Sequence, residues 1–291
     1  MKTAVLTGGT GFLGFGLLKT LLNNGVFVYV LVRSNSKRRE RLNHIDGIKI
    51  IEVDMEEEFD LSEYVNSADV FYHLAWEGTR NDLQGQMKNI NIAVNAMKAA
   101  YQIGIKQFLV TGSQAEYGIV NHEINEDTLT APNTAYGSCK LACYYILSSL
   151  ASQLNIPFTW VRVFSVYGEG DNPNTLISYL FKSFKENKIP ELTSGNQIWD
   201  YLYIDDAADA LYLLGDKGKT GLFNLASGDS RPLKEYIVEA RNLISPSSTL
   251  KFNVETDVNV VQLKVDVKKI QLELGWKPEI NFLNGIWKMK R

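Results

Sequence analysis

The segment "YGSCK" places a tyrosine and a lysine four residues apart, as Tyr136 and Lys140. On a helix, positions i and i+4 lie on the same face. A free tyrosine hydroxyl titrates near pH ~10, so it exchanges protons poorly at neutral pH. A lysine cation beside it favours the phenolate and lowers its pKa. The pair therefore predicts an acid–base group that passes a proton to or from an oxygen atom.

Ser113 ends the apolar run "KQFLVTGS", which we interpret as a strand. Its hydroxyl can hydrogen-bond a substrate oxygen that gains or loses a proton. A carbonyl held between Ser113 and Tyr136 would be polarised and ready for hydride attack. Because tyrosine–lysine pairs at this spacing also arise by chance, the hydride-transfer interpretation depends on a cofactor site in the same chain.

Glycines in the segment "TGGTGFLG", residues 7–14, supply the pattern for such a site. Gly9, Gly11 and Gly14 fit G-x-G-x-x-G, and the spacing from Gly8 fits its close variant. Glycines in this pattern form a tight strand-to-helix turn and let the main chain approach a pyrophosphate. A glycine-rich turn without a ligand is the alternative. The preceding apolar run and the following helical pattern favour a dinucleotide, with contacts from Gly8, Gly11, Phe12, Leu13 and Gly14.

A site for NAD usually has an Asp or Glu about 20 residues further on, for the ribose 2′-hydroxyl. This chain has Arg33 and Ser34 there, followed by Lys37, Arg38 and Arg39. An Arg and a Ser can bind a 2′-phosphate, which an acidic residue would repel. The three later cations can equally be a solvated loop. We therefore expect NADP(H) as the cofactor, with NAD(H) as the alternative.

Short apolar runs alternate with helical patterns over the first half of the chain. The runs predicted as strands are "TAVLTG", "VFVYVLVR", "IKIIEVD", "ADVFYHLAW", "KQFLVTGS" and "FTWVRVFSV". Helices are predicted over residues 11–24, 87–103 and 136–154. Continuously apolar strands that alternate with helices predict an α/β fold with a doubly wound parallel sheet.

From about residue 167 the pattern is less regular, with a loop-like "YGEGDNPN" and a helical pattern over residues 174–187. We predict a cofactor-binding domain from residues 1–166 plus 199–219. Residues 167–198 plus 220–291 are predicted to form a smaller, discontinuous α/β lobe that binds the substrate.

The composition excludes several other classes of protein. The 291 residues are 45% apolar and 22% charged, with a net charge of −3, which favours neither a nucleic acid nor an anionic membrane as a partner. The sequence contains no run of about 18 apolar residues, so no membrane-spanning helix is predicted. The two cysteines, Cys139 and Cys143, predict neither a disulfide nor a metal site. We expect a cytoplasmic protein.

The segments "TGGTGFLG", "TGSQAEYG", "YGSCK", "VRVFSVYGEGD" and "WDYLYIDDAADAL" together resemble the extended short-chain dehydrogenase/reductase superfamily. More narrowly, they are similar to its members that act on nucleotide-diphosphate sugars, and the similarity extends to "LGWKPEINFLNGI". The resemblance implies a Rossmann fold, a catalytic triad of Ser113, Tyr136 and Lys140, and a nucleotide-diphosphate sugar as substrate. Members of this family commonly form homodimers through a helix bundle.

The resemblance also implies cofactor contacts beyond the glycine loop. Lys140 would hold the nicotinamide ribose, and the residues after the third strand would meet the adenine. Asn89 matches the Asn of the family's N-x-x-G-T motif, although Ile92 and Ala93 replace its Gly-Thr. The contacts implied in this way are Asp54, Met55, Leu74, Ala75, Asn89, Tyr136 and Lys140.

Several departures from the family pattern narrow the reaction. Dehydratases of the family carry an Asp-Glu pair where this chain has Gln114 and Ala115, which argues against loss of water. Ser165 replaces an Asn that usually meets the substrate, and Trp199 replaces an Arg. Trp76 replaces a small residue after "HLA", and a packed loop tryptophan is the alternative to a sugar contact there. The candidate substrate-binding residues are Trp76, Arg80, Gln114, Glu116 and Ser165.

Three functions fit these observations. In the first, NADPH reduces a nucleotide-linked 4-keto-6-deoxy sugar, as in deoxysugar synthesis for surface polysaccharide, and Tyr136 protonates the new alkoxide. In the second, a 4-epimerase of the UDP-hexose type uses NAD and the same three residues. In the third, the fold binds a cofactor without catalysis, which the intact Ser113, Tyr136 and Lys140 argue against. We expect the reductase.

Overall fold

The computed structural model describes residues 1–36, 38–253 and 261–290. Lys37 of the basic loop, and residues 254–260 and 291 of the predicted substrate-binding lobe, lie outside the described residues. The chain forms two compact units. Unit 1 comprises Met1–Gly118, Leu129–Val163 and Ala208–Phe223, and unit 2 comprises Ile119–Thr128, Phe164–Ala207 and the described residues from Asn224 onward.

Strands and helices alternate through most of the chain. The strands are β1 (Thr3–Thr7), β2 (Phe27–Val32), β3 (Ile48–Glu52), β4 (Val70–His73), β5 (Gln107–Ser113), β6 (Phe158–Val163), β7 (Ser165–Tyr167), β8 (Glu191–Leu192), β9 (Ile198–Trp199), β10 (Tyr201–Tyr203), β11 (Gly221–Leu225), β12 (Arg231–Pro232) and β13 (Lys251–Phe252). The helices are α1 (Phe12–Asn23), α2 (Leu83–Gln102), α3 (Ala135–Leu154), α4 (Leu176–Lys185), α5 (Ile204–Asp216), α6 (Leu233–Ile244), α7 (Lys268–Leu274) and α8 (Phe282–Lys290). Short 3₁₀ helices cover Arg39–Leu42 and Gln114–Glu116.

One large sheet organises the first half of the fold. Its seven strands lie in the order β11-β6-β5-β4-β1-β2-β3, and the pairs from β3 to β6 are parallel. The strand order reverses between β1 and β4, so the sheet is doubly wound, and ligands of such sheets bind outside the carboxyl ends of the strands at that point. The predicted α/β fold class is confirmed, whereas the edge strand β11 lies outside the runs predicted as strands.

The central strands are buried on both faces, as their continuous apolar sequence requires. Every residue of β5 is buried. The rings of Phe71 and Phe108 pack with their centroids 5.0 Å apart, and Trp160 on β6 joins the same cluster. Met97 of α2 and Leu147 of α3 also belong to it. This packing fixes the carboxyl ends of the strands, where the candidate site lies.

Capping side chains set the start of two helices. Asp82 accepts a hydrogen bond from Gly85 N at 3.1 Å, so α2 begins at Leu83 rather than at the predicted residue 87. Thr134 caps α3 in the same way, and this helix begins at Ala135.

The two units divide the chain differently from the predicted domains at four places. β10 pairs with β7 in a two-stranded sheet, and residues 164–166 and 199–207 belong to unit 2. Residues 119–128 also belong to unit 2, where Ile124 forms a bridge with Val265. Residues 220–223 belong to unit 1, because β11 adds to the edge of the large sheet. The roles of the two domains in cofactor and substrate binding stay predictions.

The two cysteines, Cys139 and Cys143, are free and buried in α3. Among the described residues, no helix combines the length and the hydropathy needed to span a bilayer. The same residues contain no group of three or more His, Cys, Asp or Glu side chains that could hold a metal ion.

Candidate active site

The glycine turn after β1 is packed so closely that two of its positions exclude a side chain. Gly8 has a φ of +74°, and a Cβ there would lie 2.7 Å from Ala75 N. A Cβ on Gly14 of α1 would lie 2.1 Å from Gly8 O. Both distances are far shorter than a van der Waals contact. The two glycines therefore let α1 begin directly against the carboxyl ends of β1 and β4.

The start of α1 has the features of an anion site. Gly11 precedes the helix, and its N–H donates to Gly8 O at 2.9 Å. Within the described residues, no side chain caps this end and no acid lies in the first turn. The N–H groups of Phe12 and Leu13, at the first helical positions, have no acceptor inside the helix. These groups and the helix dipole favour a phosphate at this point.

A cavity of about 570 Å³ lies beside the glycine turn, within unit 1. Predicted site residues in its wall are Gly8, Gly11, Arg33, Met55, Leu74, Ala75, Trp76 and Asn89. The wall also includes Thr10, Leu31, Val32, Asn35, Ser36, Arg38, Glu56, Glu77 and Ile92. The cavity joins the glycine turn to the ends of β2 and β4, as the site of a dinucleotide does in this fold.

Seven predicted cofactor residues lie outside this wall: Phe12, Leu13, Gly14, Ser34, Asp54, Tyr136 and Lys140. Asp54 is exposed and accepts a hydrogen bond from Glu56 N at 3.1 Å, so its carboxylate stabilises a turn. Ser34 is exposed next to Arg33. Met55, which was predicted together with Asp54, is buried and forms part of the wall.

Arg33, at the end of β2, forms an ion pair with Glu77 of the loop after β4. The distance from Arg33 Nη1 to Glu77 Oε2 is 2.5 Å, and both side chains are nearly half exposed. Ser36 and Arg38 line the same cavity. The loop after β4 thus brings a carboxylate to the end of β2, where the sequence itself has none. Sequence spacing could not reveal this pairing, because the two residues are 44 positions apart.

Asn89 holds the loop that contains Glu77 in place through hydrogen bonds. Its buried side chain accepts from Glu77 N and donates to Glu77 O, both at 2.9 Å. It also donates to Gly85 O at 3.2 Å. The amide is engaged by the chain itself, so Asn89 supports the cavity wall by holding its loop in place.

The Ser113 side chain interacts with the Tyr136 hydroxyl as a hydrogen-bonding neighbour, which acts to lower the pKa of Tyr136. Ser113 Oγ also accepts from Ala115 N at 3.2 Å, in the 3₁₀ turn that follows β5. Burial raises the pKa of Tyr136 above its ordinary value, although the bond to Ser113 and the charge of Arg80 oppose the rise. Tyr136 is therefore a protonated phenol at neutral pH.

Lys140 lies one turn further along α3, and its ammonium group is buried. Nζ donates to Thr111 O at 2.7 Å and lies 3.7 Å from the centroid of the Trp76 ring. Burial lowers the pKa of Lys140 to about 8. The structure reverses the expected direction for Tyr136, since the effect of burial on its pKa exceeds that of a cation 6.0 Å from the ring centroid.

Trp76 is held at its polar edge and covers Lys140 with its face. Its Nε1 donates to Gln86 Oε1 at 2.6 Å, and Gln86 Nε2 donates to Thr79 O at 2.9 Å. The indole meets Tyr136 edge-on, with ring centroids 6.2 Å apart. Trp76 is therefore both a packed loop residue and a neighbour of two catalytic candidates.

The other substrate candidates lie in three different places. Arg80 is exposed, and its main-chain oxygen accepts from Tyr136 N at 3.0 Å. Gln114 is half-buried in the turn directly after Ser113. Ser165 begins β7 in unit 2. Contacts from these residues to a sugar stay predictions.

Glu116 was predicted to contact the sugar, but the structure places it beneath Ser113 with no exposed surface. Its carboxylate accepts from Ser113 N at 2.8 Å, from Trp160 Nε1 at 3.1 Å and from Arg162 Nε at 2.7 Å. A fully buried carboxylate with these partners has no face that a substrate can reach. Sequence reasoning missed Arg162, because only the pairing of β5 with β6 brings it to Glu116.

Comparison with known proteins identifies relatives along nearly the whole chain. A family model described as "NAD dependent epimerase/dehydratase family" matches residues 4–226. The chain is 25% identical to dTDP-4-dehydro-6-deoxyglucose reductase of Escherichia coli, over 98% of this chain and 95% of that protein. It is 25% identical to dTDP-6-deoxy-L-talose 4-dehydrogenase (NAD(+)) of Aggregatibacter actinomycetemcomitans, over 86% of this chain and 93% of that protein. A structure of UDP-glucuronic acid 4-epimerase from Bacillus cereus in complex with NAD shares the fold, with a TM-score of 0.87 and 24% identity over 100% of this chain and 95% of that chain.

Proposed function

Because this chain belongs to the NAD-dependent epimerase/dehydratase family, we propose that it uses NADPH to reduce the 4-keto group of a nucleotide-diphosphate 4-keto-6-deoxy sugar. The observation that carries the proposal is the pairing of Ser113 with Tyr136, a buried tyrosine whose pKa is raised by that burial. Reduction of a carbonyl consumes a hydride and a proton, and a neutral phenol is the form that can donate the proton. The similarity to the Escherichia coli reductase over almost all of both chains supports the same reaction.

The chain offers the groups that a nicotinamide dinucleotide requires. Gly8 and Gly14 leave a cradle that a Cβ would fill, and the N–H groups at the start of α1 can hold the pyrophosphate. The cavity of about 570 Å³ extends from this cradle past Met55 and Ala75. When bound there, NADPH supplies the hydride.

Arg33 supports NADPH over NADH. Its guanidinium lines the cavity at the end of β2, together with Arg38 and Ser36. A phosphate monoester carries more negative charge than a carboxylate and binds a guanidinium in a bidentate manner. A 2′-phosphate would therefore displace Glu77 from Arg33.

Ser113 and Tyr136 act on the carbonyl oxygen of the sugar. The Ser113 hydroxyl orients and polarises this oxygen, and Tyr136 donates its proton to it as the carbonyl is reduced. Tyr136 becomes a phenolate in this step and regains a proton from solvent. The ammonium of Lys140, 6.0 Å from the Tyr136 ring centroid, stabilises the transient negative charge.

The turn after Ser113 disfavours a dehydration. Gln114 and Ala115 carry no carboxyl group, and the next residue, Glu116, is buried against Arg162. The described residues of this turn therefore lack an accessible acid and base for the removal of water.

A 4-epimerase of the UDP-hexose type is the second candidate, and Glu77 is the observation that favours it. A carboxylate near the end of β2 is the group that usually accepts the ribose 2′-hydroxyl of NAD. Glu77 lines the cavity there, and one relative is named as an NAD(+) enzyme. The ion pair with Arg33 weakens this alternative, because it already occupies the carboxylate.

We also propose that two copies associate and that the enzyme works in the cytoplasm. The free thiols of Cys139 and Cys143 fit a reducing compartment.

The proposed association of two copies involves α2 and α3. These helices pack on each other, and apolar side chains exposed on them form a surface that a second copy could cover. These side chains are Leu83, Met87, Tyr145 and Ile146.

The test combines the protein with NADPH or NADH and with dTDP-, CDP-, UDP- and GDP-linked 4-keto-6-deoxy sugars. Nicotinamide absorbance is followed, and the sugar product is identified. One NADPH consumed per sugar reduced is the expected result. Product without net consumption of cofactor, from a 4-hydroxy sugar nucleotide, would support the epimerase instead.

Two phenylalanine variants sharpen this test. Tyr136→Phe removes the proposed proton donor and is expected to abolish turnover. Tyr101→Phe, at an exposed tyrosine on α2 outside the proposed surface for a second copy, is the matched control and is expected to behave as the wild type. Turnover that survives in Tyr136→Phe would contradict the mechanism.

A further inference from the structure

A buried polar cluster lies directly beneath the reacting hydroxyl of Ser113, and we call Glu116, Trp160 and Arg162 the carboxylate cluster. Glu116 Oε1 accepts from Ser113 N at 2.8 Å and from Trp160 Nε1 at 3.1 Å. Glu116 Oε2 accepts from Arg162 Nε at 2.7 Å. Only 3% of the Arg162 side chain and none of the Glu116 side chain is exposed. The cluster cannot contact a substrate, but it contacts the main chain of a catalytic candidate.

The sheet makes room for this cluster at one glycine of β5. A Cβ on Gly112 would lie 2.1 Å from Trp160 Nε1 and 2.4 Å from Glu116 Oε1. Gly112 is also the register partner of Arg162 on β6. The Arg162 guanidinium also lies 4.4 Å from the centroid of the Tyr117 ring. The carboxylate is therefore confined from several directions.

Filling this space with a buried ion pair is energetically unfavourable compared with filling it with apolar side chains. Removing two charges from water costs several kcal/mol per ion, and apolar side chains of similar volume are often as stable or more stable. Stability alone does not explain why the pair stands under Ser113. A role in the site does, because the pair provides a charge-assisted hydrogen bond to Ser113 N.

The charge of Glu116 also acts on α3. Its negative charge raises the pKa of Tyr136 and of Lys140, opposing in Lys140 the lowering caused by burial. The other titratable groups around the carboxylate are Arg162 on β6, Tyr117 in the turn after β5, and Cys143 on α3. Of all the titratable groups on which the Glu116 carboxylate acts, Tyr136 and Lys140 are the two that are assigned to the chemistry.

We propose that Glu116 is a positioning residue for this site: anchored by Arg162, its carboxylate fixes the main chain of Ser113 and holds a negative charge that acts on Tyr136 and Lys140. The inference rests on the proposed function, since it takes Ser113 and Tyr136 as the reacting pair. Glu116 sets the direction of the Ser113 hydroxyl through the main chain and keeps the Lys140 ammonium protonated. It touches neither the sugar nor the cofactor.

The variant Glu116→Gln tests this inference, because it keeps the shape and an acceptor for Ser113 N but removes the charge. We expect kcat to fall on the order of tenfold, which is less than the roughly 10²–10⁴-fold that a positioned acid–base group itself contributes. The KM for NADPH stays at the wild-type value. The alkaline limb of the pH–rate profile moves to lower pH, because Tyr136 and Lys140 both lose a neighbouring negative charge.

Trp160→Phe is the matched control, since it removes one donor to the carboxylate and keeps the charge. It is expected to lower kcat less than Glu116→Gln and to leave the pH limb in place. If Glu116→Gln yields no folded protein by circular dichroism, Glu116→Asp decides, because its shorter side chain keeps the charge but cannot reach Ser113 N in the same way: a lower kcat supports positioning, and a wild-type kcat overturns it. A folded Glu116→Gln protein with wild-type kcat and pH profile also overturns the inference.

A titration of Lys140 provides a readout that does not need turnover. Lysine labelled with ¹³C is followed by NMR against pH, and the Lys140 signal is assigned by its loss in Lys140→Met. Glu116→Gln is expected to lower the pKa of Lys140, and an unchanged pKa would overturn the inference. Wild-type protein that turns over no nucleotide sugar would count against the proposed function alone, and the Lys140 titration would still decide the role of Glu116.

Discussion

The Lys140 ammonium lies 3.7 Å from the centroid of the Trp76 ring and donates a hydrogen bond to Thr111 O on its other side. An indole face over a desolvated cation contributes about 2 kcal/mol. Trp76 is itself held by Gln86. The loop after β4 therefore controls how far water reaches the ammonium of Lys140, whose pKa burial lowers to about 8.

Replacing Trp76 should change the titration of Lys140. In Trp76→Ala, hydration of the ammonium replaces and outweighs the indole contact, so the pKa of Lys140 rises toward its ordinary value. We expect kcat to fall by up to about 30-fold, as the loss of about 2 kcal/mol would produce. Trp76→Phe retains an aromatic face and is expected to lie between Trp76→Ala and the wild type. Initial rates against pH and the NMR titration of Lys140 measure both effects. An unchanged Lys140 pKa in Trp76→Ala would show that the indole does not shield the ammonium.

Removing either partner of the Arg33–Glu77 pair should shift the choice between NADPH and NADH in opposite directions. Arg33→Met removes a charged ligand of the 2′-phosphate, and hydrogen bonds to charged groups contribute roughly 1.5–3 kcal/mol. We expect the KM for NADPH to rise on the order of tenfold or more, with little change for NADH. Glu77→Gln releases Arg33 and is expected to lower the KM for NADPH.

The ratio of kcat/KM for the two cofactors measures this preference, with Lys88→Met as a control at an exposed cation. A ratio that Arg33→Met leaves at the wild-type value would contradict NADPH as the cofactor. Loss of NADH use in Glu77→Gln, with no use of NADPH, would favour the epimerase.

Alanine at two positions of the glycine turn should separate folding from cofactor binding. A Cβ on Gly14 would lie 2.1 Å from Gly8 O, so Gly14→Ala must displace the turn and is expected to lower both the melting temperature and the cofactor affinity. A Cβ on Gly11 would lie 3.1 Å from the same oxygen, a milder crowding. We expect Gly11→Ala to lower the affinity for NADPH with a smaller change in melting temperature. Thermal melts with and without NADPH compare the two variants, and equal melting temperatures for both would contradict the packing argument.

The free energy of unfolding should decrease as the pH is lowered, because His73 becomes protonated more readily in the unfolded chain. Burial lowers the pKa of His73 to about 3, and its Nδ1 lies 3.0 Å from Thr7 Oγ1, which in turn accepts from Ala75 N. The unfolded chain binds a proton near pH ~6.5, whereas the folded chain does not until far lower pH. The contribution of His73 to the free energy of unfolding is therefore fully present above pH ~6.5. It is lost as the pH falls toward 3, by up to about 1.4 kcal/mol per pH unit.

His73→Asn removes this titration and retains an oxygen that can accept from Thr7. Urea unfolding at pH ~6.5 and pH ~5 is expected to show a loss of about 2 kcal/mol more in the wild type than in His73→Asn. Equal losses in both proteins would mean that His73 is charged in the folded state.

The fold class and the catalytic candidates could be predicted because they depend on local patterns. Continuous apolar runs predicted β1 to β6, since a parallel strand is buried on both faces. The spacing of Tyr136 and Lys140 on one helix follows from helical geometry. The start of α2 was placed four residues late, because the cap at Asp82 precedes any apolar periodicity. The edge strand β11 pairs only at the end of the sheet and left no distinct pattern.

The glycine turn, the parallel sheet and the candidates Ser113, Tyr136 and Lys140 could be predicted from the sequence, because each follows from residue types at short spacing. The surroundings of these residues depend on the tertiary structure. It buried Glu116 against Arg162 beneath Ser113, brought Glu77 to Arg33, and turned Lys140 toward Trp76 and Thr111. Such contacts join residues from different strands and loops, and the charges and burial that they create depend on distances in space that sequence spacing does not encode.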